Sequence, residues 1–234
     1  MPQTLWNVKR DANVTFGHDA VDKRPKHAQM VAKVVALSTE LDFAEIGVLA
    51  RILGDKAHPA AAMYLTLKAS SVKAAAMKAI ADVTLSAKDA ELFSSVQKVC
   101  NDACSDRNRF CHWHWAYSAD LPDALLFEEP SARRTHMVDM DAARREFAES
   151  GDTTRITALK HDPKKIRVIR VYTLVDLGEG VLALEYAISY MVRLGWALDS
   201  KLGQIAQKQY DELAAVPSIE KARKAIRKSS PNTL

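Results

Sequence analysis

The sequence predicts a mainly α-helical protein: a four-long-helix up-and-down bundle with a small β insertion between helices three and four and short C-terminal helices. Three observations predict this class. Apolar residues repeat at helical spacing over long stretches, Ala-rich runs are frequent, and the 234 residues include only 8 Gly and 8 Pro. With 48% hydrophobic residues, the chain can bury one substantial core.

The first long helix is predicted to begin at Pro25, which suits a first helical turn, and to stop at Gly54. Within it the following apolar residues recur at helical intervals: Val31, Val34, Val35, Leu41, Ile46, Leu49 and Ile52. Pro59 opens the second helix, an Ala-rich run that ends near Leu85 and that Ser70-Ser71 can divide into two pieces.

The third helix is predicted to begin at Ser86, because Asp89 three residues later completes a pattern that resembles a capping box. One continuous helix then runs to residue 112. At about 100° per residue, Arg107 lies in the middle of an apolar stripe. The other members of this stripe are Phe93, Val96, Cys100, Cys104 and Cys111. A guanidinium there needs a carboxylate, an anion or a polar cleft, because burying it unpaired costs free energy.

Residues 120–172 are predicted to form the β insertion. Leu125-Leu126-Phe127 and 166–171 are β-favouring runs separated by Pro and Gly, with one helix expected over Met140–Ser150. Basic residues alternate with Ile and Val near the second run: Lys164, Lys165, Arg167 and Arg170. This alternation predicts a strand with one basic face, which is either a solvated face or the rim of a nucleic-acid site.

Thr173 is predicted to cap the fourth long helix, in which apolar residues recur from Leu174 to Met191. A shorter helix follows through Tyr210, and a last one begins after Pro217. The last helix carries five basic residues: Lys221, Arg223, Lys224, Arg227 and Lys228. Such a segment is typical of a solvated face, with phosphate contact as the alternative.

Composition excludes several classes of protein. The formal net charge of +4 permits nucleic-acid contact but falls short of a dedicated non-specific binder. No stretch approaches the roughly 20 apolar residues of a membrane span, and residues 1–24 contain no apolar core of signal-peptide length, so we expect a cytoplasmic protein without a membrane partner.

The 3 cysteines predict free thiols. No P-loop, dinucleotide fingerprint, G-x-S-x-G or H-E-x-x-H motif is present, and no cofactor is predicted.

The most informative motif is Arg107-Asn108-x-x-x-His112 at the end of the third helix. Arginine supplies a permanent charge and a planar donor fork suited to phosphate, and histidine is the side chain that exchanges protons near neutral pH. Asn108 and His112 lie one helical turn apart, so both can border a cleft that Arg107 enters. Together the three residues provide the chemistry for cutting RNA without a metal.

Each residue of this region also has a purely structural interpretation. Arg107 could form a salt bridge with Glu40, Glu179 or Glu185, and His112 could be half-buried and donate to a backbone carbonyl. Trp113 and Trp115 could pack the turn after the helix instead of stacking on bases. The cysteine and histidine residues of the region have spacings unlike the short-loop pairs that bind zinc, so no metal site is predicted.

The motif and the order of helices resemble the HEPN superfamily, whose signature is R-N-x-x-x-H on the third helix of a four-helix bundle. The resemblance covers residues 26–199, which leaves 1–25 as an N-terminal extension and 200–234 as a basic, helical C-terminal extension. In the bacterial proteins the motif often continues as A-H-G-x-W. Here Cys111 stands for the Ala, Trp113 stands for the Gly, and Trp115 keeps the aromatic residue.

The resemblance implies a metal-independent endoribonuclease in which the 2′-hydroxyl attacks the adjacent phosphodiester. Arg107, Asn108 and His112 would be the catalytic residues. The residues predicted to bind RNA are Arg109, His114, Trp115, Lys164 and Arg167. The resemblance further implies a homodimer in which two motifs face one cleft, and a toxin or defence role with an antitoxin or other protein partner.

Two other hypotheses about the function remain open at this point. The first is a non-catalytic helical module that binds a protein or nucleotide partner and uses Arg107 as an anion anchor or structural ion pair. The second is a dimerisation domain with no ligand.

Overall fold

The computed structural model describes residues 2–160 and 162–229. The protein is mostly helical with a small antiparallel sheet, which confirms the mainly α class. In chain order the elements are β1 Gln3–Thr4, α1 Leu5–Val8, β2 Thr15–Phe16, α2 Asp19–Lys23, α3 Pro25–Leu53, α4 Ala57–Thr66, α5 Ser70–Thr84, α6 Ala87–Ala103, α7 Ser105–His112, β3 His114–Tyr117, β4 Ala124–Glu128, α8 Pro130–Ser150, α9 Thr154–Lys160, α10 Pro163–Val168, β5 Ile169–Thr173, α11 Leu174–Ala197, α12 Gln204–Ala214 and α13 Pro217–Ser229.

The chain divides into two compact units. The sheet unit comprises Met1–Val35 and Asp106–Val181, and the helical unit comprises Ala36–Ser105 and Leu182–Leu234. Helices α3 and α11 contribute residues to both units. No helix in the described part of the chain is both long and apolar enough to span a membrane.

The first two predicted helices are present, with the second divided. Helix α3 begins at Pro25 and ends before Gly54, whose φ of +54° favours glycine and stops the helix. The Ala-rich run forms α4 and α5, separated by an extended segment that begins at Leu67. The break therefore lies just before Ser70, which opens the second piece.

The prediction of one continuous third helix is wrong. Helix α6 begins after Ser86, whose hydroxyl accepts a hydrogen bond from the Asp89 amide as the capping pattern predicts. It ends at Cys104, and α7 starts anew at Ser105 with Asp106 in its first turn, where an acid is favourable. The apolar stripe therefore does not continue from α6 into the motif, and Cys111 is exposed.

The sheet has five antiparallel strands in the order β1-β5-β4-β3-β2. Its two edge strands come from residues before Pro25 and were not predicted, because each is only two residues long. Arg24 ties this N-terminal part to the sheet: its guanidinium donates to the carbonyls of Ser118, Leu121 and Ala124 at 2.7, 3.1 and 3.0 Å.

The central strand pairing gives the sheet two different faces. In the register of β3 and β4, Ala116 lies opposite Leu126 and Trp115 lies opposite Phe127. One face forms an aliphatic core of Leu5, Ala116, Ala124, Leu126, Ile166, Ile169 and Val171. The other face carries an aromatic cluster, in which the Phe127 ring lies 5.3 Å from Trp115 and 5.2 Å from Tyr172. Strand β4 is buried on both faces as a result.

The predicted basic strand over 166–171 is also corrected. Pro163 begins the helix α10, a position that proline favours, and the strand starts only at Ile169. Arg167 therefore lies on a helix, so the alternating basic face does not form. The predicted helix over Met140–Ser150 is longer than expected, since α8 begins at Pro130 and ends before Gly151, whose φ is +72°.

The fourth long helix and the C-terminal helices are confirmed. Thr173 and Asp176 form a reciprocal cap at the start of α11: the Thr173 hydroxyl accepts from the Asp176 amide at 3.2 Å, and the carboxylate accepts from the Thr173 amide at 3.0 Å. In the helical unit, α13 packs against α6, with Ile219 and Phe93 fully buried.

Candidate functional site

The predicted motif lies on the short helix α7 at the start of the second segment of the sheet unit. Phe110 is the buried anchor of this helix, and its ring lies 5.1 Å from Phe127 and 5.0 Å from Tyr172 in the aromatic cluster. The polar residues of α7 therefore have fixed positions, because aromatic packing of one side holds the helix on the sheet.

Arg107 is half-buried and incompletely paired. Its NH1 group donates to the Asn108 side-chain oxygen at 3.1 Å, while its Nε is buried without a hydrogen-bond partner. It forms no ion pair with any described residue, so the structural salt bridge to a glutamate is absent from this part of the chain. Because Nε itself is enclosed by protein, an anion that approaches from outside would contact the terminal NH groups of the guanidinium.

The other two residues of the motif are open to solvent. Asn108 and His112 are both exposed, so His112 is not the half-buried histidine of the structural interpretation. Arg107 and Asn108 are joined by their hydrogen bond, and His112 stands about one turn further along the same helix.

Arg109, predicted to bind RNA, is engaged within the protein. Its guanidinium pairs with Asp106, and Tyr172 donates to the same carboxylate at 3.2 Å. Burial opposes the charge of Arg109, but the contacts with Tyr172 and Asp106 outweigh it and raise its pKa. Burial, together with Asp106, raises the pKa of Tyr172 to about 12. This network holds α7 to the sheet, so fewer Arg109 donors are left for a ligand.

A pocket of about 410 Å³ opens directly after the motif in the chain. Its lining residues come from the N-terminal segment, the start of β3 and helix α8: Phe16, Gly17, His18, Val21, Trp113, His114, Trp115, Arg133 and Met137. Two residues predicted to bind RNA, His114 and Trp115, therefore lie at one pocket. The sheet brings the N-terminal residues there, because the amide of Gly17 donates to the carbonyl of Trp115 at 3.2 Å.

The two tryptophans have different environments. The Trp115 indole donates to the Phe110 carbonyl at 3.1 Å and packs against Phe127, so its ring belongs to the aromatic cluster. Trp113 is half-buried, with the Arg109 guanidinium 5.6 Å from its ring centroid. The packing interpretation thus describes Trp115, and Trp113 is the better candidate for stacking.

The remaining predicted RNA-binding residues are not placed at the pocket. Arg167 lies on α10 with its guanidinium 4.8 Å from the Trp6 ring centroid. The side chain of Lys164 lies outside the described part of the structure.

Sequence reasoning missed His18, Arg133 and Met137. Residues 130–139 were not predicted to be helical, so nothing indicated that Arg133 and Met137, one turn apart, share a helix face. Pro130, which suits a first helical turn, was the available signal.

The cysteines are free, as predicted. Burial, with a smaller contribution from Glu45, raises the pKa of the Cys100 thiol, which keeps it protonated and unreactive. Among the described residues, no three His, Cys, Asp or Glu side chains are grouped to hold a metal ion.

Comparison with known proteins gives no relative: no family model, no curated protein and no solved structure matches this chain.

Proposed function

We propose that the protein is a metal-independent endoribonuclease of the HEPN type, which cleaves RNA by attack of the 2′-hydroxyl on the adjacent phosphodiester. The observation that carries this proposal is Arg107, whose half-buried guanidinium forms no ion pair with a described residue and has only its NH1 group engaged, by Asn108. A scissile phosphate would supply the acceptors that the guanidinium lacks.

The chemistry assigns one task to each residue. Arg107 would oppose the charge that develops on the phosphate oxygens in the transition state, as a preorganised donor fork does. His112 would take the proton from the 2′-hydroxyl or give a proton to the 5′-oxygen that leaves. Asn108 would position Arg107 through their hydrogen bond. The products would carry 2′,3′-cyclic phosphate and 5′-hydroxyl ends.

Several features implied by the family resemblance belong to the same proposal. They are a four-helix bundle, a homodimer with two motifs at one cleft, cytoplasmic location, and a toxin or defence role with an antitoxin or other protein partner. A dimer would double the charge available to RNA, since each copy brings its own Arg107.

The test is cleavage of a mixed RNA population in the presence of a chelator, with the ends of the products analysed chemically. We expect cyclic-phosphate ends with the native protein. The His112→Ala variant should lose about 10²- to 10⁴-fold in rate, the usual contribution of a general acid or base. A matched control is His58→Ala, which removes an exposed histidine from α4 in the helical unit and should leave the rate unchanged.

The alternative is a non-catalytic module that uses Arg107 as an anion anchor, which the absence of an ion pair between Arg107 and any described residue favours. In that case RNA binding would depend on Arg107 and no cyclic-phosphate ends would form. Equal cleavage by the native protein and the His112→Ala variant would exclude the enzyme proposal.

A further inference from the structure

We propose that the pocket beside the motif binds a single nucleotide unit, a nucleobase with its phosphate, either free or within an RNA strand. This inference concerns binding only and does not depend on cleavage by His112. It rests on the size of the pocket, on its aromatic wall and on the charge of its lining.

The size of the pocket suits a small ligand. Its volume of about 410 Å³ lies at the lower end of the range of roughly 300–1,000 Å³ found for small-molecule sites. A mononucleotide is a ligand of this scale. The lining comes from three separate segments that the sheet and α8 bring together, so the site is a product of the fold.

The aromatic wall provides a surface for a planar base. Trp113 is held in place because its amide donates to the Arg109 carbonyl at 2.8 Å and its ring faces the Arg109 guanidinium. Phe16 lies on the edge strand β2, paired with Ala116. Bases of any sequence stack on such rings, since every base has a π-face.

The charge of the lining favours an anion. Arg133, His18 and His114 line the pocket, and none of its lining residues in the described structure is acidic. The Arg133 guanidinium lies 4.2 Å from the Phe16 ring centroid, so a cation and an aromatic ring stand together. A planar anionic ligand uses both features at once.

Two carboxylates lie near Arg133 and His18 but do not line the pocket. Arg133 forms an ion pair with the buried Glu128 carboxylate at 3.7 Å, a distance longer than a hydrogen bond, so the pair uses its charge but not its N–H donors, which a phosphate could accept from. His18 lies 3.1 Å from Asp19, and both side chains are largely exposed.

The pocket lies next to the motif in the chain, so the nucleotide that it binds could be part of an RNA strand as well as a free nucleotide. Trp113 directly follows His112, so their Cα atoms are about 3.8 Å apart. A strand that places one base in the pocket would therefore bring its neighbouring phosphates toward the motif helix.

The test is isothermal titration calorimetry of the full chain with three probes: a ribonucleoside monophosphate, the corresponding nucleoside, and a trinucleotide with 2′-deoxy sugars that cannot be cleaved. We expect the monophosphate to bind more tightly than the nucleoside, because the phosphate reaches the cations. Tighter binding of the trinucleotide than of the monophosphate would identify RNA as the source, and equal binding would identify the free nucleotide.

Two variants test the site itself. Trp113→Ala should weaken monophosphate binding by about tenfold or more through the loss of stacking. Met137→Glu places a negative charge at the pocket from a position that is 54% exposed, so it should weaken binding while the protein stays folded. Val138→Glu is its matched control, because Val138 is 63% exposed on the same helix but does not line the pocket.

Arg107→Ala separates this inference from the proposed function, since Arg107 does not line the pocket. We expect it to lower the cleavage rate about 10²- to 10³-fold and to leave monophosphate binding unchanged. Absence of monophosphate binding to the native protein at millimolar concentration would overturn the inference. Equal affinities of Met137→Glu and Val138→Glu would overturn it as well.

Discussion

Both units of the molecule contain paired polar groups, but they differ in what surrounds their arginines. In the helical unit, Tyr64 donates to the buried carboxylate of Glu45, and Arg227 pairs with Glu91. In the sheet unit an aromatic cluster holds the structure, while Arg107 keeps a buried donor without a partner and His112 is exposed.

The contrast distinguishes groups that are paired within the fold from groups that the proposed function assigns to a ligand. Arg223 in the helical unit also has buried nitrogens without hydrogen-bond partners, but it lies close enough to Glu91 to lower the pKa of that carboxylate. Arg107 forms no ion pair with a described residue, and its one side-chain hydrogen bond is to the neutral amide of Asn108.

The largest expected effect tests whether aromatic packing holds the sheet unit. Phe127→Ala should lower the free energy of unfolding by about 3–5 kcal/mol, because a fully buried ring that contacts Phe110, Trp115 and Tyr172 leaves a cavity. Chemical denaturation followed by circular dichroism measures the change. Phe43→Ala, at a site that is 64% exposed in the helical unit, is the control, and an equal loss there would contradict the assignment.

A second change should separate activity from stability. Arg107→Ala should lower the cleavage rate about 10²- to 10³-fold, as the loss of a transition-state donor does. Its free energy of unfolding should change by less than about 1 kcal/mol, because no ion pair is lost. Arg134→Ala removes an exposed arginine of α8 and serves as control. A large loss of stability with Arg107→Ala would make Arg107 a structural residue.

In the helical unit, Tyr64→Phe should cost about 1–3 kcal/mol, because it removes the donor from the buried Glu45 carboxylate and keeps the ring. Thermal unfolding measures the loss. Tyr186→Phe removes a hydroxyl from a side chain that is 60% exposed and should have almost no effect. Equal effects of the two variants would mean that the Tyr64 hydrogen bond does not stabilise the unit.

The pH dependence of stability tests the same pair. Burial outweighs the hydrogen bond from Tyr64 and raises the pKa of Glu45, so the folded protein binds a proton that the unfolded chain has already released. The free energy of unfolding should therefore fall as the pH rises above the ordinary range of a glutamate carboxyl. Glu45→Gln removes this dependence, and its stability relative to the native protein should increase from acidic to neutral pH. A constant difference over that range would contradict the raised pKa.

The smallest effect is expected for Arg227→Ala. Its hydrogen bonds to Glu91 lower the pKa of that carboxyl, so the stabilisation is present at neutral pH and is lost as the pH falls through the lowered pKa. Arg227 is 66% exposed, so salt screens the pair, and the thermal midpoint should fall slightly and mainly at low ionic strength. Lys228→Ala is the control, and a loss that persists in high salt would show a role beyond charge.

Helices were predictable where a local signal marked their ends. Pro25 and Gly54 bound α3, Ser86 caps α6, and Thr173 caps α11, since each acts through its own backbone or a residue three positions away. The break at Cys104 carried no such signal. In the sequence, apolar residues keep their helical spacing across this break. In the structure, α7 is a separate helix because Phe110 packs against Phe127 of the sheet.

The candidate site was predictable only in part for the same reason. Arg107, Asn108 and His112 are neighbours along one helix, so their spacing alone placed them together. His18 and Arg133 are far from His114 in the chain, and only the pairing of β2 with β3 and the position of α8 bring them to one pocket. Two-residue strands have too little pattern to be recognised.

By itself, the sequence determined the mainly helical class, the principal caps and the closeness of Arg107, Asn108 and His112 along one helix, because these depend on interactions within a few residues. The tertiary structure decided that α7 is a separate helix, that Arg109 is engaged by Asp106 beside Tyr172, and that Trp113 borders a cationic pocket. Such contacts join distant segments, and their free energy comes from burial and pairing that no local spacing encodes.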